Sequence, residues 1–324
     1  MKKVKWKTNS ANIDQYLRPT SWQEYVGQEK IKKSLGLILA AAKKRNETID
    51  HLLLYGPTGL GKTTLASLVA KEMNATLKIT NGSALQRAGE LASILSSLEE
   101  QDILFIDEAH RLNRSIEEII YPAMESRQLH LVVGKSLASR MVSIDLPAFT
   151  LIAATTRPNL LSSPLRSRFG AIFQFEYYTV DEIKTIINRS ADLLKIEIKP
   201  EAISVIAAAS RLTPRIANRL LKRCRDFLEV YNLKNIDAEI ASQALKFLEI
   251  DHLGLESYER RFLNLIIKKF NNRPIGLNAL AAALGEDKGT IEEIYEPYLI
   301  KIGFLQRTPL GRIATEAARE HLNE

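Results

Sequence analysis

LLLYGPTGLGKTTLASLVA, Leu52 to Ala70, decides the fold of this 324-residue chain. An apolar run halts at a loop holding Gly56, Pro57, Gly59 and Gly61, then resumes as a helix opened by Lys62, Thr63 and Thr64. GPTGLGKT fits the pattern G-x-x-x-x-G-K-[ST], in which backbone N–H groups of the loop and of the helix N-terminus surround a phosphate. Glycines let that backbone approach the phosphate oxygens with no Cβ in the way. Lys62 is then placed to reach the β- and γ-phosphates, and the Thr63 hydroxyl to complete a Mg²⁺ shell. A glycine-rich turn without function is the plain alternative. However, HLLLY reads as a buried strand and TTLASLVAKEM as a helix, which is the context the pattern requires.

Outward from this loop, strand-like runs alternate with helical patterns to about residue 178. ATLKIT, DILFIDE, FTLIAATT and AIFQFEYY are continuous apolar strands separated by helices, which predicts an α/β domain with a parallel sheet covered on both faces. LHLVVGKSLASRMVSIDL reads as a β-hairpin inserted into that unit, turning around Gly134 and Ser136. From Thr179 the texture is all-helical. Thr179 and Glu182 have capping-box spacing, and Thr213 with Pro214 opens PRIANRLLKRCRDFLEVY. Beyond Asp251 come three helices and a short hairpin turning at TPLG, with Pro309 and Gly311 at turn positions i+1 and i+3, a winged-helix pattern. The predicted domains are a large ATPase domain at 1–178, its first 18 residues an N-terminal segment, then a helical lid at 179–250 and a winged helix at 251–324.

Composition is that of an ordinary globular protein, 45% hydrophobic and 26% charged. No apolar run approaches the ~18 residues that cross a bilayer, and MKKVKWKTNSANIDQYL lacks the apolar centre of a signal peptide. The single cysteine, Cys224, is read as inert packing, which fits a reducing, cytoplasmic setting. The net charge of +7 leans toward nucleic acid, but unevenly. Residues 1–18 carry five Lys/Arg against one Asp, whereas 251–324 carry ten against eleven carboxylates. Any DNA contact in the last third must therefore be argued residue by residue.

ILFIDEAH ends an apolar strand in two carboxylates. Asp107 is placed to hold Mg²⁺ and Glu108 to polarise the attacking water. DEAH also occurs in a separate helicase class, and a strand-terminal acidic turn is common. His110 is read as a local structural or coupling residue rather than a metal ligand. LIAATTRPN ends another strand in Thr155 and Thr156, whose hydroxyls can orient water or sense the γ-phosphate. In SPLRSRFG, Arg168, with Arg166 second, is the candidate for positive charge supplied to a neighbouring subunit's transition state. Arg215, in the first turn of the capped lid helix, is the candidate to reach the γ-phosphate from the lid.

Phosphate loop, DE strand, polar strand end, trans arginine and lid arginine together resemble the AAA+ ATPases. Within them the chain is similar to the bacterial motors that drive branch migration of Holliday junctions. The likeness runs from LRPTSWQEYVGQEK to GRIATEAAREHL and includes DILFIDEAHRLNR, YPAME, LIAATTR, PLRSRFG, EYYT, TPRIANRLLKRCRDF, YEPYL and GFLQRTPLGR. It implies a homo-hexameric ring that hydrolyses ATP to ADP with Mg²⁺ and pumps duplex DNA past a four-way junction in recombination and repair. It also implies a partner, RuvA, that holds the junction and grips the hairpin around Leu131–Ile144. Carried over by match, Leu17, Arg18 and Tyr178 line the adenine side, and Gly59, Gly61, Lys62, Thr63 and Thr64 hold phosphate and Mg²⁺. Thr156 becomes the sensor, Arg168 the trans finger and Arg215 the lid sensor, while Lys288, Arg307 and Arg312 match DNA-contacting positions.

Three departures stand out. Thr58 replaces a second proline of the phosphate loop, Leu310 removes a cation from the wing tip, and FNNRPIGL replaces a glycine-rich turn, with Arg273 as a partial substitute. Two other functions compete with a DNA motor: a clamp-loader-like remodeller of protein partners, and a nucleotide-gated module without turnover. The presence of Glu108, Arg168 and Arg215 disfavours the module, and the winged helix disfavours the loader. Glu292, Glu293 and Glu296 on the expected recognition helix would repel phosphates, so backbone contact led by the wing is expected over base readout.

Overall fold

The structure, a computed structural model, describes residues 10–133 and 140–323. The chain divides into two compact units, Met1–Tyr178 and Thr179–Glu324. Among its described residues the first holds seven strands: β1 (Leu52–Tyr55), β2 (Leu77–Asn81), β3 (Ile103–Asp107), β4 (Gln128–Val133), β5 (Arg140–Asp145), β6 (Thr150–Thr155) and β7 (Ala171–Gln174). Five of them form a parallel sheet in the order β2-β3-β6-β1-β7. All six residues of β6 are buried, and Ile103–Ile106 of β3 likewise, because helices cover both faces. Leu53, Leu104, Ile106, Leu151 and Ala153 from the sheet pack with Leu91, Leu95, Ile116 and Ile120 from the helices Ala88–Ser96 and Arg114–Glu125. Each large side chain so buried contributes roughly 1.5–3 kcal/mol. The parallel order brings the ends of β1, β3 and β6 to one edge, with β6 between the other two, the place where open α/β sheets bind ligands.

The hairpin is present as β4 and β5, antiparallel, with Leu129 opposite Ile144 and Leu131 opposite Val142. Its expected turn residues, Gly134 and Ser136, lie outside the described residues. Leu129 is buried, and Leu131 and Ile144 pack against the domain core, so these apolar side chains serve the hairpin's own domain. Met141 and Val142 remain exposed, at 73% and 41%.

In the second unit, four lid helices span Val180–Leu194, Pro200–Ala208, Pro214–Val230 and Ala238–Phe247. The capping box is formed: Glu182 N–H donates to Thr179 Oγ1 (3.2 Å) and Thr179 N–H to Glu182 Oε2 (2.7 Å). Cys224 is buried, which pushes its thiol up to about 12. The winged helix follows as Ser257–Asn264, Leu277–Leu284, a helical run from Lys288 to Lys301 with a π-helical turn at Ile291–Tyr295, then β8 (Leu305–Thr308) and β9 (Gly311–Ala314). Ile275 adds a third strand segment by bridging Arg312. Asn272 of FNNRPIGL braces the wing, donating to Ala314 O (2.9 Å) and accepting from Ala314 N–H (3.1 Å).

Lid and winged helix, read separately from the sequence, pack here as one unit. The join is Arg211, which is 7% exposed. Its guanidinium grips Glu259 through both terminal nitrogens (2.8 and 2.6 Å), donates from Nε to Gly254 O (2.8 Å) and lies over the Tyr298 ring. Burial drives the Glu259 carboxyl up to about 7, while the Arg211 charge pulls the other way. Removing one partner of such a pair costs roughly 3–5 kcal/mol because the other charge stays buried.

Candidate nucleotide site

The phosphate loop leaves β1 at Tyr55 and enters the helix Lys62–Met73. Gly59 (φ 80) and Gly61 (φ 97) take left-handed backbone that side-chain-bearing residues rarely adopt, and this curls the loop's N–H groups inward. Buried Tyr25 supports the curl: a Cβ on Gly61 would stand 3.0 Å from its hydroxyl. Lys62 is buried and its Nζ donates to Gly56 O (2.7 Å) and Pro57 O (2.8 Å), which fixes the ammonium over the loop. On the expected adenine side, Leu17 and Tyr178 are buried, Arg18 is exposed, and Tyr178 donates its hydroxyl to Leu60 O within the loop (3.1 Å).

Thr63 and Asp107 come from different elements, 44 residues apart, and meet: Oγ1 lies 3.4 Å from Oδ2. A hydroxyl and a carboxylate side by side at the end of a phosphate loop are the hard oxygen donors Mg²⁺ takes, with water and phosphate oxygens filling the rest. Among the described residues no group of three or more His, Cys, Asp or Glu is placed to hold a metal ion. Thr64 follows in the first helical turn, half-buried.

Glu108 is the first residue past β3 and adopts left-handed backbone (φ 48, ψ 46). That conformation costs a non-glycine residue about 1–3 kcal/mol and turns the side chain away from the strand's line. Gly82, past the neighbouring β2, makes the turn possible, since a Cβ there would lie 2.5 Å from Glu108 O. Nothing in the sequence reading singled out Gly82. Its position one strand over from a DE terminus was the available signal. Across the sheet, Thr155 is wholly buried and its hydroxyl accepts from Arg157 N–H (3.0 Å). Thr156 Oγ1 is buried with no hydrogen-bond partner among the described residues. A buried polar atom left without a partner needs an explanation, and a bound phosphate or its water supplies one.

Arg168 sits elsewhere. It donates to Pro164 O (2.7 Å) and Glu125 Oε2 (2.9 Å) and stacks on Tyr121, 4.9 Å from the ring centroid. Two residues on, Gly170 N–H bonds His51 O, immediately before β1. Arg168 is therefore held near the amino end of the strand whose carboxyl end carries the phosphate loop, about 13 Å of strand away. Arg166 is half-buried, its Nε packed without a partner among the described residues. Arg215 stands exposed in the first turn of the lid helix Pro214–Val230.

The wing differs from expectation. Glu296, expected on a phosphate-facing surface, is wholly buried. It accepts from Arg307 and from Arg312 Nε (2.7 Å), and Arg312 also reaches Glu292 (3.2 Å). Arg312, an expected DNA contact, is only 15% exposed and is engaged in this network, whereas Arg307 is 51% exposed and Lys288 is exposed. Leu310 is 79% exposed at the wing tip.

A parallel-sheet P-loop ATPase carrying a helical lid and a winged helix is the class this fold and site define. Three family profiles match in succession: the P-loop domain of the Holliday junction DNA helicase RuvB over residues 17–175, the RuvB AAA lid domain over 178–251, and the RuvB C-terminal winged helix domain over 252–323. The Holliday junction branch migration complex subunit RuvB of Fusobacterium nucleatum is 52% identical over 316 residues, 98% of this chain and 95% of that one. The solved Thermotoga maritima RuvB Holliday junction branch migration motor superposes with a TM-score of 0.88 at 50% identity, covering 95% of this chain and 98% of its own. The chain belongs to the RuvB family of branch-migration ATPases. Among its described residues no helix is long and apolar enough to cross a membrane.

Proposed function

We propose that this chain hydrolyses ATP with Mg²⁺ as a homo-hexameric ring and translocates duplex DNA to drive branch migration of Holliday junctions, docked on RuvA, in the cytoplasm. The observation that carries the reading is the convergence of Lys62, Thr63, Asp107, Glu108 and an unpartnered Thr156 hydroxyl at one sheet edge, in a chain that ends in a winged helix. Thr63 and Asp107 are the residues to hold Mg²⁺, which when bound neutralises charge on the phosphates. Lys62 and the loop N–H groups bind and orient the β- and γ-phosphates, Thr156 donates toward the γ-phosphate end, and Glu108 orients and deprotonates the attacking water. Leu17, Arg18 and Tyr178 flank the adenine, with Gly59, Gly61 and Thr64 completing the loop, Arg168 as finger and Arg215 as lid sensor. The functional boundaries we propose are 1–178, 179–250 and 251–324. Turnover that is unaffected by duplex DNA, in a protein that does not form rings with nucleotide, would favour the remodeller reading instead.

The RuvA-facing surface is assigned to the hairpin strand β5, where Met141 and Val142 expose apolar side chains on its two faces. Leu131 packs on its own domain, so the informative variant is Met141→Ser/Val142→Ser. It should lose at least ~10-fold in RuvA affinity by titration calorimetry while basal ATPase stays within twofold. Unchanged affinity would move the docking site elsewhere.

For DNA, Lys288 and Arg307 are assigned to backbone phosphates, while Arg312 chiefly neutralises buried Glu296. Lys288→Ala should weaken binding to unrelated duplexes alike and reduce the salt slope by about one unit. Arg312→Ala should instead lower the melting temperature, with Glu296 left short of a partner. A salt slope unaffected by Lys288→Ala sinks the phosphate assignment.

A further inference from the structure

His110 lies three residues past Asp107, in the short helical turn Ala109–Arg111 beyond Glu108, with its side chain 5% exposed. Its Nδ1 stands 3.0 Å from Thr155 Oγ1 and 3.3 Å from Glu108 Oε2. One ring nitrogen thus touches both the carboxylate that handles water and the hydroxyl at the end of β6. A carboxylate can only accept here, so the contact requires the proton on Nδ1, shared between Glu108 and Thr155. Thr155 is itself fixed, being wholly buried and accepting from Arg157 N–H. Glu108 is not fixed by a strand, because its backbone has already turned left-handed over Gly82 and its side chain is 27% exposed. A carboxylate that is 27% exposed has room for other rotamers, and the imidazole contact holds one of them.

We infer that His110 is a positioning residue: it ties the Glu108 carboxylate to the end of β6, so that the group acting on water is set by the strand that carries Thr156. The inference rests on the assignment of Glu108 as the base. It makes the contact between β3 and β6 directional, since a shift of the Thr155–Thr156 end reaches Glu108 through one buried ring.

The test compares His110→Ala, His110→Asn, Glu108→Gln and the double variant His110→Ala/Glu108→Gln, measuring kcat and KM for ATP with duplex DNA and Kd for a fluorescent ATP analogue. His110→Ala should lower kcat about 10- to 100-fold, the usual scale for a group that orients a functional side chain, with Kd within twofold. Asparagine, whose amide N–H can stand where Nδ1–H does, should recover most of the loss. In the Glu108→Gln background, His110→Ala should cost little more, because the group it positions is already disabled. Near-normal kcat in His110→Ala, no recovery with asparagine, or a full multiplicative loss on top of Glu108→Gln each overturns the proposal. If Glu108→Gln itself turns over normally, the base assignment fails first and takes this one with it. If His110→Ala binds nucleotide poorly, the asparagine variant decides alone: kcat near wild type supports the role, and a loss equal to alanine's refutes it.

Discussion

Glu108→Gln should still bind ATP and Mg²⁺ but turn over at least ~100-fold more slowly, the scale of a lost general base. The substitution keeps the shape of the side chain and its reach, and removes its negative charge and its ability to take a proton. Nothing in the phosphate cradle changes: Lys62 remains on the loop carbonyls and Thr63 beside Asp107. The expected signature is therefore a collapse in kcat with nucleotide affinity preserved, read by phosphate release alongside equilibrium binding. Lys62→Ala gives the contrasting pattern, losing affinity and turnover together. Were Glu108→Gln to hydrolyse ATP at near-normal rates, another group would have to activate the water.

The second large effect belongs to Arg168. A guanidinium that stabilises the transferring phosphoryl group is worth about 10³–10⁵ in kcat, so Arg168→Ala should be almost inactive. The geometry argues that the rescue comes from a neighbour. Arg168 is anchored by Pro164, Glu125 and Tyr121 close to the start of β1, while the loop it would serve lies at that strand's other end. An arginine side chain spans about half that gap, so its own nucleotide is out of reach. Mixing Arg168→Ala with Lys62→Ala subunits should restore part of the hydrolysis lost by each alone, since an intact finger then faces an intact loop. No recovery in rings demonstrated by native mass spectrometry to be mixed would refute the trans role.

Much of this molecule is legible because its signals are local. The phosphate loop, the apolar strands and the Thr179–Glu182 capping box each rest on residues a few positions apart, where spacing alone fixes geometry. Glu296 departs from its expected exposure for the opposite reason. Its spacing from Glu292 and Glu293 places all three on one helical face, yet the wing folds over it and delivers Arg307 and Arg312 from 11 and 16 residues away. Periodicity cannot foresee a strand laid over a polar position. The same holds for Arg168 and Glu125, 43 residues apart, and for His110 and Thr155, 45 apart. The hairpin is legible as an element, but which of its apolar residues face the domain core depends on register, which the sequence leaves open.

Arg211 has a mechanical meaning. A guanidinium clamped on Glu259 and on the Gly254 carbonyl removes the slack that a linker between lid and winged helix would otherwise contain. Lid and winged helix are thereby held as one body, a welded lever rather than a jointed one. Cutting that weld with Arg211→Ala should lower the melting temperature and loosen the join, because Glu259 is left buried without its partner.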